Sequence, residues 1–78
     1  MRLETKTRYY LCLVQKDLFG RWELFRAWGA KGSGLGNSLR QPAQSEAHAG
    51  ELLQAVLKQR LARGYVPCDD ERAMPGNP

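Results

Sequence analysis

A basic, glycine-rich stretch that follows an apolar segment is the part of this sequence most able to do chemistry. Residues 25–40 read FRAWGAKGSGLGNSLR and contain four glycines, three cations and no acid. Glycine amides can approach an oxyanion closely, and the cations supply the opposite charge. The nucleotide-binding motifs do not fit, because Asn37 stands where a Rossmann fingerprint counted from Gly32 needs glycine, and no Gly-Lys-Ser/Thr leads into a helix. The stretch predicts either a surface for backbone phosphates or a basic, solubilising hairpin loop.

Groups that could catalyse a reaction or hold a metal are sparse. The single histidine, His48, falls in the first turn of a predicted helix, where we expect a surface position. Glu46 and Glu51 are five residues apart, so they do not face one another on a helix. Cys12 and Cys68 are distant in sequence, and two thiols do not complete a four-ligand zinc site. We therefore expect no enzymatic activity, no cofactor and no metal, and reduced cysteines in a cytoplasmic protein.

Charge is distributed unevenly along the chain. The protein has a formal net charge of +4, and residues 67–78 contribute three acids and one arginine, which leaves +6 on residues 1–66. A small basic domain attracts polyanions, of which nucleic acid is the commonest, although charge that only maintains solubility remains the alternative. No apolar run approaches the length of a membrane span, so we predict no membrane partner.

Two segments rich in aromatic and aliphatic residues predict an antiparallel β-hairpin. They are residues 7–17 and 21–29, and the break between them is short. Residues 37–43 predict a third, edge-like strand, because Pro42 cannot donate to a sheet ladder. Residues 65–67 could add a short final strand. By alternation Trp22 and Trp28 share a face; we expect Trp22 in the core and Trp28 either as a lid on the core or as a ligand contact.

An amphipathic helix is predicted over residues 46–63. Ser45 offers an N-cap and Gly64 a left-handed C-terminal position. The apolar stripe at spacings of three and four consists of Ala49, Leu52, Leu53, Val56, Leu57 and Leu61. Strands followed by a helix predict an α+β fold, with a small antiparallel sheet of three to four strands packed against one long helix. We expect one domain over residues 1–66 and a flexible tail over residues 67–78.

The order and spacing of these elements resemble the WGR domain, a module named for its Trp-Gly-Arg signature. The residues that carry the resemblance are Trp28-Gly29, the KGSG that follows, and the distance from there to Gly64-Tyr65. The resemblance covers residues 8–66. WGR domains occur in DNA-dependent poly(ADP-ribose) polymerases and as stand-alone or appended bacterial modules. The resemblance implies a non-catalytic DNA-binding module in which Trp28 meets the DNA.

One position departs from the signature. Ala30 stands where the family has arginine, so the DNA contact of that arginine does not transfer to this chain. Either Lys31 or Arg26 supplies the displaced cation, or the fold was kept while DNA binding was lost.

The sequence therefore predicts a surface that binds DNA backbone phosphates, with strand ends or nicks as candidate sites. The residues predicted to contact nucleic acid are Trp28, Arg26, Lys31, Gly32, Ser33, Gly34, Asn37, Arg40 and Lys58. Lys58 belongs to a second acid-free segment that must lie beside the first to make one patch. The alternative is a protein-interaction module whose basic face docks an acidic protein partner. We expect a monomer.

Overall fold

The computed structural model describes residues 1–68, which form one antiparallel sheet and one helix. The strands are β1 (Arg2–Glu4), β2 (Arg8–Lys16), β3 (Trp22–Ala30), β4 (Gly36–Pro42) and β5 (Val66–Pro67), and the helix is α1 (Glu46–Ala62). The order in the sheet is β4-β3-β2-β1-β5, with every neighbouring pair antiparallel. The predicted α+β class is confirmed. The sheet has five strands rather than three to four, because the three-residue β1 carries no recognisable strand pattern.

The central hairpin of β2 and β3 agrees with its prediction. Its register runs from Arg8 opposite Ala30 to Lys16 opposite Trp22. The turn closes on Asp17, whose carboxylate accepts hydrogen bonds from the backbone amides of residues 19 and 21 at 2.8 and 2.9 Å. These two bonds lower the pKa of Asp17, and the backbone amide of residue 21 is the larger cause.

Alternating side chains give the sheet two different faces. The helix face, covered by α1, carries Tyr10, Cys12, Leu24 and Trp28; the first three are buried and Trp28 packs against them. The open face, on the other side of the sheet, carries Tyr9, Leu11, Leu13, Phe25 and Ala27. Neither Cys12 nor Cys68 is in a disulfide, and burial raises the pKa of the Cys12 thiol. Trp22, predicted to be in the core, is only partly buried and lies outside the core cluster, with the Lys16 ammonium 5.2 Å from its ring centroid.

Both predicted helix caps are confirmed. The Ser45 hydroxyl accepts a hydrogen bond from the His48 amide at 3.0 Å, and Gly64 has a φ of +95° just beyond the helix. His48 itself is half-buried, and its Nδ1 accepts from the Gln44 amide at 3.0 Å. The helix therefore begins and ends where its capping residues predict.

The packed stripe of α1 differs from its prediction at one position. Ala49 and Val56 are buried, and Leu52, Leu53 and Leu57 are partly buried. The assignment of Leu61 to this stripe was wrong, because 48% of that residue is exposed. Arg60, one helical turn after Val56, lies on the sheet side of α1 instead, and its side chain packs on the ring of Tyr10.

The ring of Tyr9 covers two glycines on the open face. Gly29 lies opposite Tyr9 in β2 and opposite Gly36 in β4. A Cβ on Gly29 would lie 3.1 Å from the Leu35 carbonyl oxygen and 3.2 Å from the Tyr9 ring. A Cβ on Gly36 would lie 2.8 Å from the Tyr9 hydroxyl and 2.9 Å from the Trp28 carbonyl oxygen. Close packing in the sheet therefore requires glycine at position 36, and a Cβ at Gly29 would force its neighbours to give way by a few tenths of an ångström.

We predict that Gly36→Ala lowers the free energy of unfolding by about 1–3 kcal/mol, because the new methyl group overlaps a backbone carbonyl that cannot move aside. Gly34→Ala is the matched control, since nothing lies within 4 Å of a Cβ there. Urea denaturation measures both. Equal stability of the two variants would contradict the packing assignment.

No helix among residues 1–68 has the length and apolar character needed to cross a membrane. Pro67, the first residue of the predicted tail, belongs to β5, and the Cys68 amide donates to the Arg2 carbonyl at 2.8 Å. The remainder of that predicted tail, residues 69–78, lies outside the described residues. The predicted boundary after residue 66 stays a prediction.

Candidate nucleic-acid interface

An aromatic stack on the helix face positions Trp28. Trp28 and Tyr10 are direct cross-strand partners, and their rings are nearly parallel, at 11°, with centroids 5.6 Å apart. Tyr65, which follows α1, meets the Tyr10 ring edge-on at 6.1 Å and is buried. Trp28 is partly buried, so the stack restrains the indole while part of its surface stays in contact with solvent.

Two arginines pack around the same tyrosine. The Arg60 guanidinium carbon lies 4.6 Å from the Tyr10 ring centroid and 5.8 Å from that of Tyr65. Arg26 Nε donates to the Tyr10 hydroxyl at 2.8 Å, and its Nη1 donates to Gln41 at 3.4 Å. All of these partners are neutral. The Arg60 Nε is buried and makes no hydrogen bond within residues 1–68, which is costly for a group that carries charge.

A third arginine joins this side of the sheet at its end. Arg8 pairs with Ala30, and alternation places both on the same face as Tyr10 and Trp28. Residues two apart on one face of a strand are about 7 Å apart, so Arg8 borders the aromatic stack. Arg8 is exposed and forms no ion pair with a carboxylate in the described part of the chain. We call Trp28, Tyr10, Arg8, Arg26 and Arg60 the helix-face cluster.

The ion pairs lie on the other side of the sheet. Glu4 contacts Arg2 and Lys31, each at 2.7 Å, and the buried Glu23 contacts Arg40 at 3.4 Å. Glu4 and Glu23 lie opposite Tyr9 and Gln15 in β2, so both carboxylates belong to the open face. These are the ion pairs formed within residues 1–68. Every cation of the open-face ion pairs therefore has a carboxylate partner, whereas the arginines of the helix-face cluster have none among residues 1–68.

The structure separates the nine residues predicted to contact nucleic acid. Trp28, Arg26 and Asn37, the cross-strand partner of Trp28, lie together on the helix face. Lys31 and Arg40 instead contact carboxylates on the open face.

The remaining predicted residues lie elsewhere. Gly32, Ser33 and Gly34 are exposed in the loop between β3 and β4. The Ser33 hydroxyl accepts a hydrogen bond from the Leu35 amide at 3.0 Å, so this hydroxyl and this amide are paired with each other within the loop. Lys58 is two residues from Val56, which places it on the outer side of α1, away from the sheet.

Sequence reasoning did not identify Arg8, Tyr10 and Arg60 as members of the site. Two signals were present. Arg8 shares the parity of Tyr10 and Cys12 in the first hairpin strand, and Arg60 follows Val56 by four residues. A cation within an apolar stripe is a signal that it packs on an aromatic side chain or serves a ligand.

Glu4 is the most strongly perturbed acid described. Its hydrogen bond with Lys31, and then that with Arg2, lower the pKa of Glu4 from 4.5 to about 2. A carboxylate with a depressed folded-state pKa contributes stability that is present above the unfolded-state value and is lost as pH falls. We predict that the melting temperature declines between pH 4.5 and 2, and that Glu4→Gln reduces this decline. A thermal melt series of both proteins measures it. Identical pH profiles would contradict the assigned pairing.

Within residues 1–68, one antiparallel sheet, one helix and an aromatic stack bordered by arginines without acidic partners define a small α+β binding module. Over residues 2–72 the sequence matches the family model of the WGR domain. The protein therefore belongs to the WGR family, nucleic-acid-binding modules found in poly(ADP-ribose) polymerases and bacterial proteins. A WGR domain on its own is a binding module rather than a catalytic one. Comparison with curated proteins and with solved structures gives no significant match.

Proposed function

We propose that this WGR domain binds the phosphate backbone of DNA through the helix-face cluster. The observation that carries the proposal is the segregation of charge across the sheet. The carboxylates that form ion pairs within residues 1–68 lie on the open face. On the other face three arginines border the stack of Trp28 on Tyr10 and have no acidic partner in that part of the chain. Cations that are not neutralised internally attract a polyanion most strongly.

Trp28 and the three arginines of the helix-face cluster have separate roles in the proposed complex. The Trp28 indole covers a sugar or base, a contact worth about 1–3 kcal/mol in single-strand binders. Arg8, which is exposed and lies opposite Ala30, takes over the cation position that Ala30 cannot fill. Arg26 and Arg60 add charge beneath the stack, and guanidinium groups suit phosphate because they donate two parallel hydrogen bonds. Asn37 offers an amide donor beside Trp28.

The proposed complex is independent of base sequence. Recognition of bases in the major groove requires a helix or ribbon that presents side chains to base edges. The one helix described uses its apolar stripe to cover the sheet. Lys31 and Arg40 are left out of the proposed surface, because Glu4 and Glu23 already compensate them.

The proposal is tested by titrating a fluorescent 5′-phosphorylated nicked duplex at several salt concentrations. Each neutralised phosphate contributes about −0.9 to the slope of log K against log salt, so three arginine contacts predict a slope of about −2.7. An intact duplex without ends and a matched RNA duplex show whether ends or DNA are preferred. Binding that is absent, or that does not respond to salt, would overturn the proposal.

The loss of the signature arginine favours one other candidate function. Ala30 removes a DNA contact of the family, and a cationic surface with a tryptophan also suits an acidic protein partner. Competition distinguishes the two functions. If DNA is the ligand, poly-glutamate, used as a model of an acidic protein at the same concentration of negative charge as the DNA, is expected to displace little DNA from the domain. If it binds the domain more tightly than DNA does, the protein-interaction function replaces the proposed one.

A further inference from the structure

The open face of the sheet has an apolar centre. The apolar residues are Tyr9, Leu11, Leu13, Phe25 and Ala27, and the sole helix described lies on the opposite side of the sheet. Leu13, in the middle strands, is 40% exposed. The Arg2 guanidinium lies 5.0 Å from the Tyr9 ring centroid and that of Arg40 lies 5.9 Å from the Phe25 centroid. Arginines therefore flank the apolar centre and leave Leu13 uncovered.

The charges around this apolar centre nearly balance. Arg2, Lys31 and Arg40 are paired with Glu4 and Glu23, which leaves a net charge of +1 on the face. An apolar centre with a polar rim is the usual anatomy of a protein interface. Because this rim carries both positive and negative side chains, two copies of the face can meet with little electrostatic repulsion. The helix-face cluster, with three arginines and no paired acid, would repel a copy of itself.

The size of the face suits a weak dimer. Strands of three, nine, nine, seven and two residues form the sheet. At about 3.3 Å per residue and about 4.8 Å between strands they cover about 500 Å² of plane. Specific interfaces bury about 800 Å² of accessible surface per partner, and transient ones bury less. Side chains raise the accessible area of the face above its flat area, so it reaches the range of a transient interface.

We propose that the open face is an interface between two copies of this chain, packed sheet on sheet as in a β-sandwich. The sequence alone predicts a monomer, because it does not reveal that no other element among residues 1–68 covers one face of the sheet. We take a dissociation constant on the order of 100 µM as the value to test, because interfaces at the small end of the size range belong to weak, transient complexes. The helix-face cluster points away from this interface, so dimerisation and DNA binding are independent properties.

Sedimentation equilibrium from about 10 µM to about 1 mM tests the dimer, since this range brackets the expected constant. The mass of the wild type is expected to rise from 8.8 kDa towards twice that value. Leu13→Glu is expected to stay monomeric. Leu61→Glu is the matched control, because it makes the same change at a leucine that is 48% exposed on the helix, and it is expected to dimerise like the wild type. Circular dichroism melts establish that both variants fold.

Three results would overturn the dimer. They are a wild type that stays monomeric at the highest concentration, a Leu13→Glu variant that still dimerises, and concentration-dependent amide shifts that fall on α1 instead of β2 and β3. Leu13→Glu is also expected to retain its DNA affinity, whereas Arg8→Ala is expected to lose DNA affinity and still dimerise. A failure of the dimer is thereby distinguished from a failure of the proposed function.

Discussion

Replacing Arg8 with alanine is expected to weaken DNA binding about tenfold, as the loss of one charge-assisted hydrogen bond does. Arg8 is exposed opposite Ala30 on the helix face, beside the stacked Trp28, and has no carboxylate partner within residues 1–68. Removing one phosphate contact should also reduce the salt slope by about 0.9. Fluorescence anisotropy with the nicked duplex at several salt concentrations measures both quantities.

The control for Arg8→Ala removes the same charge from the other face. Lys31→Ala is expected to change the affinity less than about twofold, because the Lys31 ammonium is held by Glu4 at 2.7 Å. Ala30→Arg restores the signature residue beside Arg8 and is expected to strengthen binding about fivefold, through one added contact. If Lys31→Ala loses more affinity than Arg8→Ala, the site lies on the loop side and the assignment of Arg8 is wrong.

Replacing Arg60 with methionine is expected to lower DNA affinity without lowering the stability of the fold. The Arg60 Nε is buried without a hydrogen bond in the described part of the molecule, and its guanidinium packs on Tyr10 at 4.6 Å. Methionine keeps the packing on the aromatic ring and removes the buried donor and the charge. We expect the free energy of unfolding to stay constant or to rise by about 1 kcal/mol. DNA affinity is expected to fall about tenfold, as one charged contact is lost.

Lys58→Met provides the matched control on the same helix. It removes one charge from the outer side of α1, so its effect on DNA affinity should stay within about twofold. Urea denaturation and anisotropy titration compare the two variants directly. A desolvated cation–π contact contributes about 2 kcal/mol. A fall of more than about that amount in the unfolding free energy of Arg60→Met would therefore mean that Arg60 stabilises the fold through its packing on Tyr10.

Local patterns in the sequence were sufficient for most of the fold. The hairpin, the edge strand and both ends of the helix follow from strand composition, Pro42, Ser45 and Gly64, each of which acts through its immediate neighbours. β1 was missed because its burial depends on partners five to nine positions along the chain, with Leu3 opposite Tyr10. Leu61 was misassigned because a hydrophobicity pattern does not show that the side chain of Arg60, its neighbour, packs on the sheet in its place.

The site was less predictable than the fold, since its composition depends on contacts between distant segments. The sequence predicted Trp28 as either a lid on the core or a ligand contact, and which cations accompany it depends on the strand register. Glu4 and Lys31 are 27 positions apart and meet only because β1, β2 and the end of β3 lie side by side. The parity of Arg8 with Trp28 likewise requires the pairing of Tyr10 with Trp28. A single sequence does not contain that register.

The parallel stack of Trp28 on Tyr10 gives the domain its own optical reporter. An indole packed against a phenol 5.6 Å away receives its excitation energy efficiently and emits according to the polarity around it. The second indole, Trp22, lies beside Lys16 at the far end of the hairpin. In a Trp22→Phe protein, therefore, the emission of the one remaining tryptophan reports changes in the surroundings of Trp28 without any attached label.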